Sequence, residues 1–452
     1  SYLFELSSIT MESKKVVIIG GGFAGINLVN GLSHDNRFQV TLVDRNNYNF
    51  FPPLLYQVAT GFLEVSNISY PFRKLLRGRK NVAFRMAEFL RVDPDAQKVI
   101  LSNGELSYDF LVFATGTSTN YFGMENVKKH AIPMKTINDA VSMRNTLLQR
   151  MEKATIAESR EERKRLLTVV VAGAGPTGVE LSGMFAEMRR NVILKEYPQF
   201  EGSGAKIYLV DGGKEVLAAM SDKSSEGTYK DLVEIGVDVK LGMHVKDYDG
   251  EVVTFSNGDT VATKTLIWAA GVTGSRFEGV PAEAYGRGNR LLVNSVNQLL
   301  GDEHIFAIGD TSLSTSDEAF PDGHPQVAQV AIQQAKNLAK NLQRMLSERA
   351  LSDFKYVDKG SMAIISRNKA VADIGRMHFR GFIAWFMWLF VHLMSLINYR
   401  NRLATLYNWA WAYFTKDQSL RLIIRPDPYT TDEHITSGVT DRDRSVAERK
   451  TP

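Results

Sequence analysis

Two unbroken apolar runs, each ending in a cluster of glycines, stand out from a chain that otherwise alternates between helical and strand-like patterning. The first, Val16–Gly25 (VVIIGGGFAG), has glycines at 20, 22 and 25, and the second, within residues 167–180 (LTVVVAGAGPTGVE), has them at 173, 175 and 178. A short run without polar interruption is the pattern of a parallel strand covered on both faces. Where it passes through a glycine turn into a helix, the helix start offers backbone N–H groups to a pyrophosphate. One such loop is a weak signal, whereas two in the same register predict two bound dinucleotides. The expected fold is α/β, with two Rossmann-like dinucleotide-binding domains.

The pattern after each loop follows one plan. Ile26–Leu32 reads as a helix and Phe38–Val43 as a strand ending in Asp44, about 20 residues past the glycines, where a carboxylate meets an adenosine ribose or simply faces water. Asn47–Gly61 (NYNFFPPLLYQVATG) keeps neither period, and with Pro52 and Pro53 it suits core filler or a wall against a planar ring. Residues 82–118 alternate as a β-meander with an Asn103-Gly104 hairpin signal, and end at Ala114-Thr115-Gly116, where a glycine lets backbone approach a ligand. Residues 138–165 read as a solvated helix. Beyond the second loop, the acidic strand end Asp211 comes 33 positions after Gly178, and the excess around Lys195–Ala205 reads as an inserted loop. A second meander with an Asn257-Gly258 turn closes at Thr265–Val272 (TLIWAAGV), the counterpart of Ala114–Gly116.

Three later segments break the repetition. His304–Asp310 (HIFAIGD) is a short buried strand delivering an acid, either a helix cap or a ligand group. Residues 326–346 form a helix with Gln329 and Gln333 one turn apart on one face, lining a ligand wall or facing water. Phe382, Trp385, Phe386, Leu389, Phe390 and Leu393 keep helical spacing in a stretch apolar nearly all round. That stretch, Gly381–Ile397, has 17 residues and so reaches only about 26 Å, too short for a span. Leu403, Leu406, Tyr407, Ala410, Trp411 and Phe414 form a second, amphipathic helix. Nine Lys or Arg against two Asp between Arg367 and Arg425 favour an interfacial helix on anionic lipid, the alternative being a buried dimer or domain interface.

The late HIFAIGD strand implies a split first domain, residues 11–133 and 303–365, with a second domain, 134–302, inserted into it. Residues 366–430 form a membrane-seeking region, and the polar tail 431–452 is expected to be disordered. Residues 1–10 lack a basic start and a cleavage site, so they read as an extension upstream of Met11. The absence of cysteine removes thiol nucleophiles and dithiol relays, so redox chemistry must reside in a bound cofactor. A net charge of +4 is too small for this length to imply nucleic acid. Two dinucleotides without thiols point to one flavin and one nicotinamide, with the flavin at the first loop.

The motifs GGGFAG, NYNFFPPLLYQVATG, FATGT, GAGPTGVE, WAAGV, FAIGD, AQVAIQQ, FKYVDKGSMAIISRNKAVADIG and GFIAWFMWLFVHLMSLINYRNRL together resemble the type II, non-proton-pumping NADH:quinone oxidoreductases, the bacterial alternative NADH dehydrogenases, from about residue 14 to 425. The resemblance implies a homodimer attached peripherally to the cytoplasmic side of the inner membrane, holding FAD non-covalently. It implies that Gly20, Gly22, Gly25 and Asp44 hold the ADP half of FAD, that Thr115, Gly116 and Ala328 approach it, and that Asp310 binds its ribityl chain. Gly173, Gly175 and Gly178 would cradle NADH, with Asp211 on its ribose repelling a 2′-phosphate although Lys214 lies nearby. Glu180 would lie by the nicotinamide and flavin rings and handle protons, the alternative being a helix-dipole carboxylate. Gln329, Gln333 and Lys369 would border the quinone pocket. The rival readings are a soluble NADH-dependent reductase of a protein electron carrier and an NADH-sensing flavoprotein that binds a protein partner.

Overall fold

In this computed structural model the described residues are 13–416 and 421–424, so the expectations for residues 1–10 and 431–452 lie outside them. The first apolar run is the strand Lys14–Ile19, which feeds helix α1, Phe23–Leu32. It is the central strand of a five-stranded parallel sheet in the order Ile305–Ala307, Phe110–Phe113, Lys14–Ile19, Phe38–Asp44, Val82–Met86. A short helix α2, Leu55–Ala59, completes the aromatic segment and buries every one of its residues.

The second sheet repeats this arrangement with Ile132–Pro133, Thr265–Trp268, Val169–Ala172, Ile207–Asp211 and Val237–Leu241, all parallel. Its helices include α3, Ile137–Thr155, α4, Pro176–Met188, and α5, Asp222–Glu234. A capping box starts α3: Thr136 Oγ1 accepts from the Asp139 N–H at 3.1 Å, and Asp139 Oδ2 accepts from the Thr136 N–H at 2.8 Å. Helix α6, Ala328–Met345, returns to the first domain and packs on α1 so closely that a Cβ at Gly31 would meet that of Ala339 at 2.5 Å.

The structure corrects several expectations. Residues 82–118 are not one meander: Val82–Met86 and Phe110–Phe113 join the parallel sheet, and only Phe89–Asp93, Lys98–Leu101 and Gly104–Ser107 form an antiparallel unit. The apolar Phe110–Phe113 run is nearly all buried, which alternation alone did not reveal. Residues 138–165 are not a solvated helix, because α3 buries Ala140, Met143, Leu148 and Met151 and a second helix, Arg160–Leu167, starts afresh at Ser159. The excess before Asp211 begins as helix, since α4 continues through a π-helical turn at Arg189–Ile193.

The domain boundaries shift too. Ile132–Pro133 already belongs to the second sheet. Residues beyond about 274 rejoin the first domain: Phe277 stacks on Phe113 with centroids 4.4 Å apart, and Leu291–Leu292 pairs with Ser312–Leu313. The cut at 365 falls inside the strand Ser361–Ser366, the first of an antiparallel sheet completed by Lys369–Ile374 and Met377–Arg380. This sheet rests on α4, where a Cβ at Gly183 would lie 1.7 Å from the Ile365 carbonyl oxygen.

Two helices follow, α7, Phe382–Ser395, and α8, Tyr399–Thr415. Trp388 of α7 and Trp409 of α8 join the same core as Leu55, Tyr56 and Val179. Helix α8 is inverted relative to a soluble helix: it buries Asn401, Thr405 and Trp409 and exposes Leu403, Leu406, Tyr407, Trp411 and Phe414. Among the described residues, no helix is long and apolar enough to cross a membrane.

Candidate active site

The two glycine loops are built alike to the level of single contacts. Gly20 and Gly173 have φ of 104° and 106°, and a Cβ on either would lie 2.4 Å from the carbonyl oxygen of Ala114 or Ala269. Gly25 and Gly178 face the carbonyls of Gly20 and Gly173, which a Cβ would meet at 1.9 and 1.8 Å. Gly22 and Gly175, the residues capping α1 and α4, have nothing within 4 Å of their would-be Cβ. Each loop therefore keeps open the side from which a pyrophosphate reaches the helix N-terminus.

The strand-end acids lock these loops. Asp44 accepts from the N–H of Gly21 at 2.7 Å and of Asn46 at 2.8 Å. Asp211 accepts from the N–H of Ala174 at 2.7 Å and of Gly213 at 2.6 Å. Burial raises the pKa of Asp44, with those backbone donors opposing it. Asp44 is thus not merely a solvated strand end, for it and Asp211 each brace the glycine turn next to them.

Around the first loop, residues distant in sequence converge. Thr115 and Thr311 hydroxyls lie 3.1 Å apart, and Thr311 donates to the Gly116 carbonyl at 3.2 Å. Asp310 precedes Thr311 and its carbonyl accepts from Gln326 Nε2 at 3.1 Å, and desolvation raises the pKa of its carboxyl against the opposing charges of Lys135 and Arg290. Lys135, itself largely buried, donates to Thr117 Oγ1 at 2.7 Å. Gly309 fits between Ala24 of α1 and Ala331 of α6, and its N–H donates to Gln334 at 2.7 Å. These residues fit a flavin dinucleotide: an open cradle at Gly22, a helix start at Ala328 and a half-buried acid at Asp310. Lys135, Arg290 and Gln334 escaped the sequence reading because no local pattern separates them from ordinary polar positions.

A second feature lies where α4, the C-terminal sheet, α7 and α8 meet. A cavity of about 510 Å³ is walled mainly by apolar and aromatic side chains, among them Phe62, Trp385, Leu389, Leu393, Leu406 and Trp409. Its polar residues are Gln57, Glu180, Glu187, Ser366 and Arg367. Glu180 is buried, which pushes its carboxyl well above the ordinary carboxylate range against the moderating Ile364 backbone and Trp388 indole. Glu187 is raised by burial as well, opposed by the Arg367 N–H at 3.1 Å and by the charges of Arg367 and Arg190. The Arg367 guanidinium lies 3.9 Å from the centre of the Tyr413 ring. A large apolar chamber whose two carboxyls are both pushed up by burial suits an uncharged ring with a hydrocarbon tail.

The remaining site expectations land elsewhere. Gln329 donates to the Gly360 carbonyl at 2.8 Å and accepts from the Lys359 N–H at 3.0 Å, while Gln333 makes the same paired contact with Val357 at 2.9 and 3.1 Å. Both amides clamp residues 357–360 along α6 rather than wall the cavity. Lys369 lies on the opposite side of the C-terminal sheet, where its ammonium pairs with Glu234 at 2.6 Å and Asp231 at 3.4 Å on α5. Arg380 joins Asp231 at 2.8 Å, so this cluster fastens the C-terminal sheet to the second domain.

Comparison with known proteins agrees with this geometry. Residues 14–335 match the family described as pyridine nucleotide-disulphide oxidoreductase, and residues 359–416 match the NDH2 C-terminal domain. The chain is 34% identical over 416 residues to the type II NADH:quinone oxidoreductase Ndh of Mycobacterium tuberculosis, covering 89% of this chain and 88% of that protein. It is 30% identical over 380 residues to the type II NADH:quinone oxidoreductase of Staphylococcus aureus, covering 80% and 90%. A solved structure of NDH2 from Plasmodium falciparum in complex with NADH superposes with a TM-score of 0.84 at 22% identity, covering 92% of this chain and all of that one. A sulfide:quinone oxidoreductase from Aquifex aeolicus shares the fold less closely, with a TM-score of 0.67 at 19% identity over 95% of this chain and 96% of that one. On the match over 14–335, the C-terminal domain match and the full-length relatives, the chain belongs to the type II NADH:quinone oxidoreductase family.

Proposed function

We infer that this protein oxidises NADH and reduces a quinone to quinol through non-covalently bound FAD, without pumping protons. The observation that carries this reading is the apolar cavity with its buried Glu180, set on the same helix whose first turn forms the second dinucleotide cradle. When bound at the first loop, FAD would supply the two-electron chemistry that links NADH oxidation to quinone reduction. The protein's part is to bind and orient. Gly20, Gly22, Gly25 and Asp44 form the cradle for its ADP half, and Thr115, Gly116, Asp310 and Ala328 border the remainder. Gly173, Gly175, Gly178 and Asp211 take NADH, and the Asp211 carboxylate disfavours a 2′-phosphate.

Quinone reduction consumes a proton beside the hydride equivalent, and Glu180, whose pKa burial raises furthest from the ordinary carboxylate range, is the acid on the cavity wall suited to donate it. Gln329, Gln333 and Lys369 act as positioning residues through the backbone and ion pairs they hold. The outward Leu403, Tyr407, Trp411 and Phe414 support peripheral attachment to a lipid surface, which brings the cavity to a membrane quinone. Attachment at the cytoplasmic side of the inner membrane as a homodimer is the arrangement that the family resemblance favours. A soluble reductase of a protein carrier has no use for this inverted helix, and a sensor has no use for a second substrate chamber.

The test is NADH-dependent reduction of a short-chain quinone, with FAD content determined on the same sample. Many turnovers per bound flavin are expected. A flavin that stays reduced after one equivalent, or a purified protein that turns over without flavin, would overturn the reading.

A further inference from the structure

We propose that Gln57 is the hydrogen-bond donor that holds the quinone carbonyl in the cavity, and that Trp409 fixes its amide in the donating orientation. The inference rests on the cavity being the quinone chamber, as proposed above. Gln57 is 2% exposed, lies on α2 in the otherwise aromatic and aliphatic stretch Phe51–Ala59, and forms part of the cavity wall. It is the one amide side chain among the residues lining that cavity.

Its orientation follows from the chemistry of its neighbours. The indole Nε1–H of Trp409 is a donor only, so the Gln57 Oε1 that it approaches at 2.8 Å must be the carbonyl end of the amide. The NH₂ end is thereby turned away, and one of its two hydrogens goes to the Tyr56 hydroxyl at 2.9 Å. The second N–H has no acceptor among the described residues and belongs to a residue on the cavity wall. A buried donor left without an acceptor is costly, and a ligand with a carbonyl oxygen relieves that cost. A quinone carbonyl is a better acceptor than a quinol hydroxyl, so this donor favours the oxidised substrate over the product. Arg367 is the competing donor on the cavity wall, and its buried Nε also has no partner among the described residues; its guanidinium lies over the Tyr413 ring and carries a full charge, whereas the Gln57 amide is neutral like the carbonyl it would meet.

Three variants test the proposal, each read by quinone KM and kcat, with flavin content and anaerobic flavin reduction by NADH confirming an intact redox core. Gln57→Leu is expected to raise the quinone KM about 3- to 10-fold, the range of one lost hydrogen bond. Trp409→Phe keeps an aromatic side chain but removes the N–H that orients the amide together with part of the indole on the cavity wall, and it should raise KM by a smaller factor without loss of flavin. Leu389→Trp fills the chamber without touching the amide and should raise KM at least as much. If Leu389→Trp raises KM while both other variants leave it unchanged, the Gln57 assignment is overturned. If Leu389→Trp itself leaves quinone KM unchanged, the chamber is not the quinone site and the reading beneath the assignment fails. Should Gln57→Leu not fold, Gln57→Met, unbranched like the natural residue and without the N–H donor, takes its place, and an unchanged KM in it overturns the assignment.

Discussion

The two glycine loops have the same backbone and different neighbours. In both, the first glycine packs against an alanine carbonyl, the third against the first, and a strand-end aspartate braces the turn. Two residues past the third glycine they diverge. The first loop has Asn27, which donates to the Phe23 carbonyl at 2.8 Å within its own helix. The second has Glu180, buried against the C-terminal elements. Beyond that point α1 is covered by α6, whereas α4 is covered by the strand Ser361–Ser366, with Gly183 against Ile365. The glycine turn is thus common to the two loops, and what distinguishes them enters within one helical turn, through what each helix packs against.

The sharpest way to break this comparison is to substitute the equivalent glycines. Gly25→Ala drives a methyl into the Gly20 carbonyl at 1.9 Å, so flavin and thermal stability should be lost together. Gly178→Ala makes the same clash at 1.8 Å in the second loop, and should retain flavin while NADH oxidation falls about 100-fold or more. Gly22→Ala has open space and should lose flavin affinity with little change in the Tm of the flavin-free protein. Flavin absorbance, Tm and NADH titration on the three variants decide the matter. Equal loss of flavin from Gly25→Ala and Gly178→Ala would mean that the loops are not separate sites.

A smaller effect is expected from the divergent position itself. Glu180→Gln should retain flavin and slow quinone turnover by roughly 10- to 100-fold, the scale of one general acid. Its pH dependence has a definite sign. Because the folded-state pKa of Glu180 is raised, the native protein holds a proton that the unfolded chain releases above the ordinary carboxylate range. Stability from this group is therefore full at low pH and is lost as pH rises toward the folded-state pKa. The Tm of Glu180→Gln minus that of the natural protein should grow with increasing pH. A difference that stays flat would show that the carboxyl is ionised in the native state.

Legibility in the sequence follows the same division. The cradles and Asp44 and Asp211 were readable because a strand, a turn and a helix start are local, and glycine spacing reports them directly. The cavity was not, since Gln57, Glu180, Arg367, Trp385 and Trp409 come from five separate elements with no shared period. Gln329 and Gln333 show the limit most plainly: amides one turn apart look alike whether they meet a ligand or, as here, the backbone of residues 357–360. The domain cut at 302 failed because residues 274–300 carry no pattern of their own and belong to the first domain only through packing such as Phe277 on Phe113.

The exposed side of the C-terminal helices offers a further contrast with the cradles, since it is defined by what it leaves unburied. Tyr407 and Trp411 are 66% and 52% exposed and lie outside the cavity wall, so replacing both with Glu should leave the fold and short-chain quinone turnover intact. Liposome flotation should fall about tenfold or more, because two anchors are exchanged for charges. Unchanged flotation would remove the lipid-surface assignment.

The smallest expected effect concerns His392, on the other side of Trp388 from the Glu180 region. Its ring stacks on Trp388 with centroids 3.9 Å apart and meets the edge of Phe51 at 6.1 Å, and its Nδ1 lies 2.8 Å from the Trp388 carbonyl oxygen. Burial lowers its pKa to about 4, although the Trp388 carbonyl favours the charged form. A depressed histidine contributes stability above its ordinary value near 6.5, and that contribution is lost as pH falls toward 4. The loss is at most about 3 kcal/mol by linkage, and less to the extent that water reaches the ring. His392→Phe retains the stack and removes the titration, so its Tm should fall less steeply than that of the natural protein between about pH 6.5 and 4. Glu180 and His392 thus limit the same tryptophan-centred packing from opposite ends of the pH scale. Parallel acid-limb Tm profiles for His392→Phe and the natural protein would mean that the imidazole is already charged in the fold, and that only the alkaline limit belongs to this region.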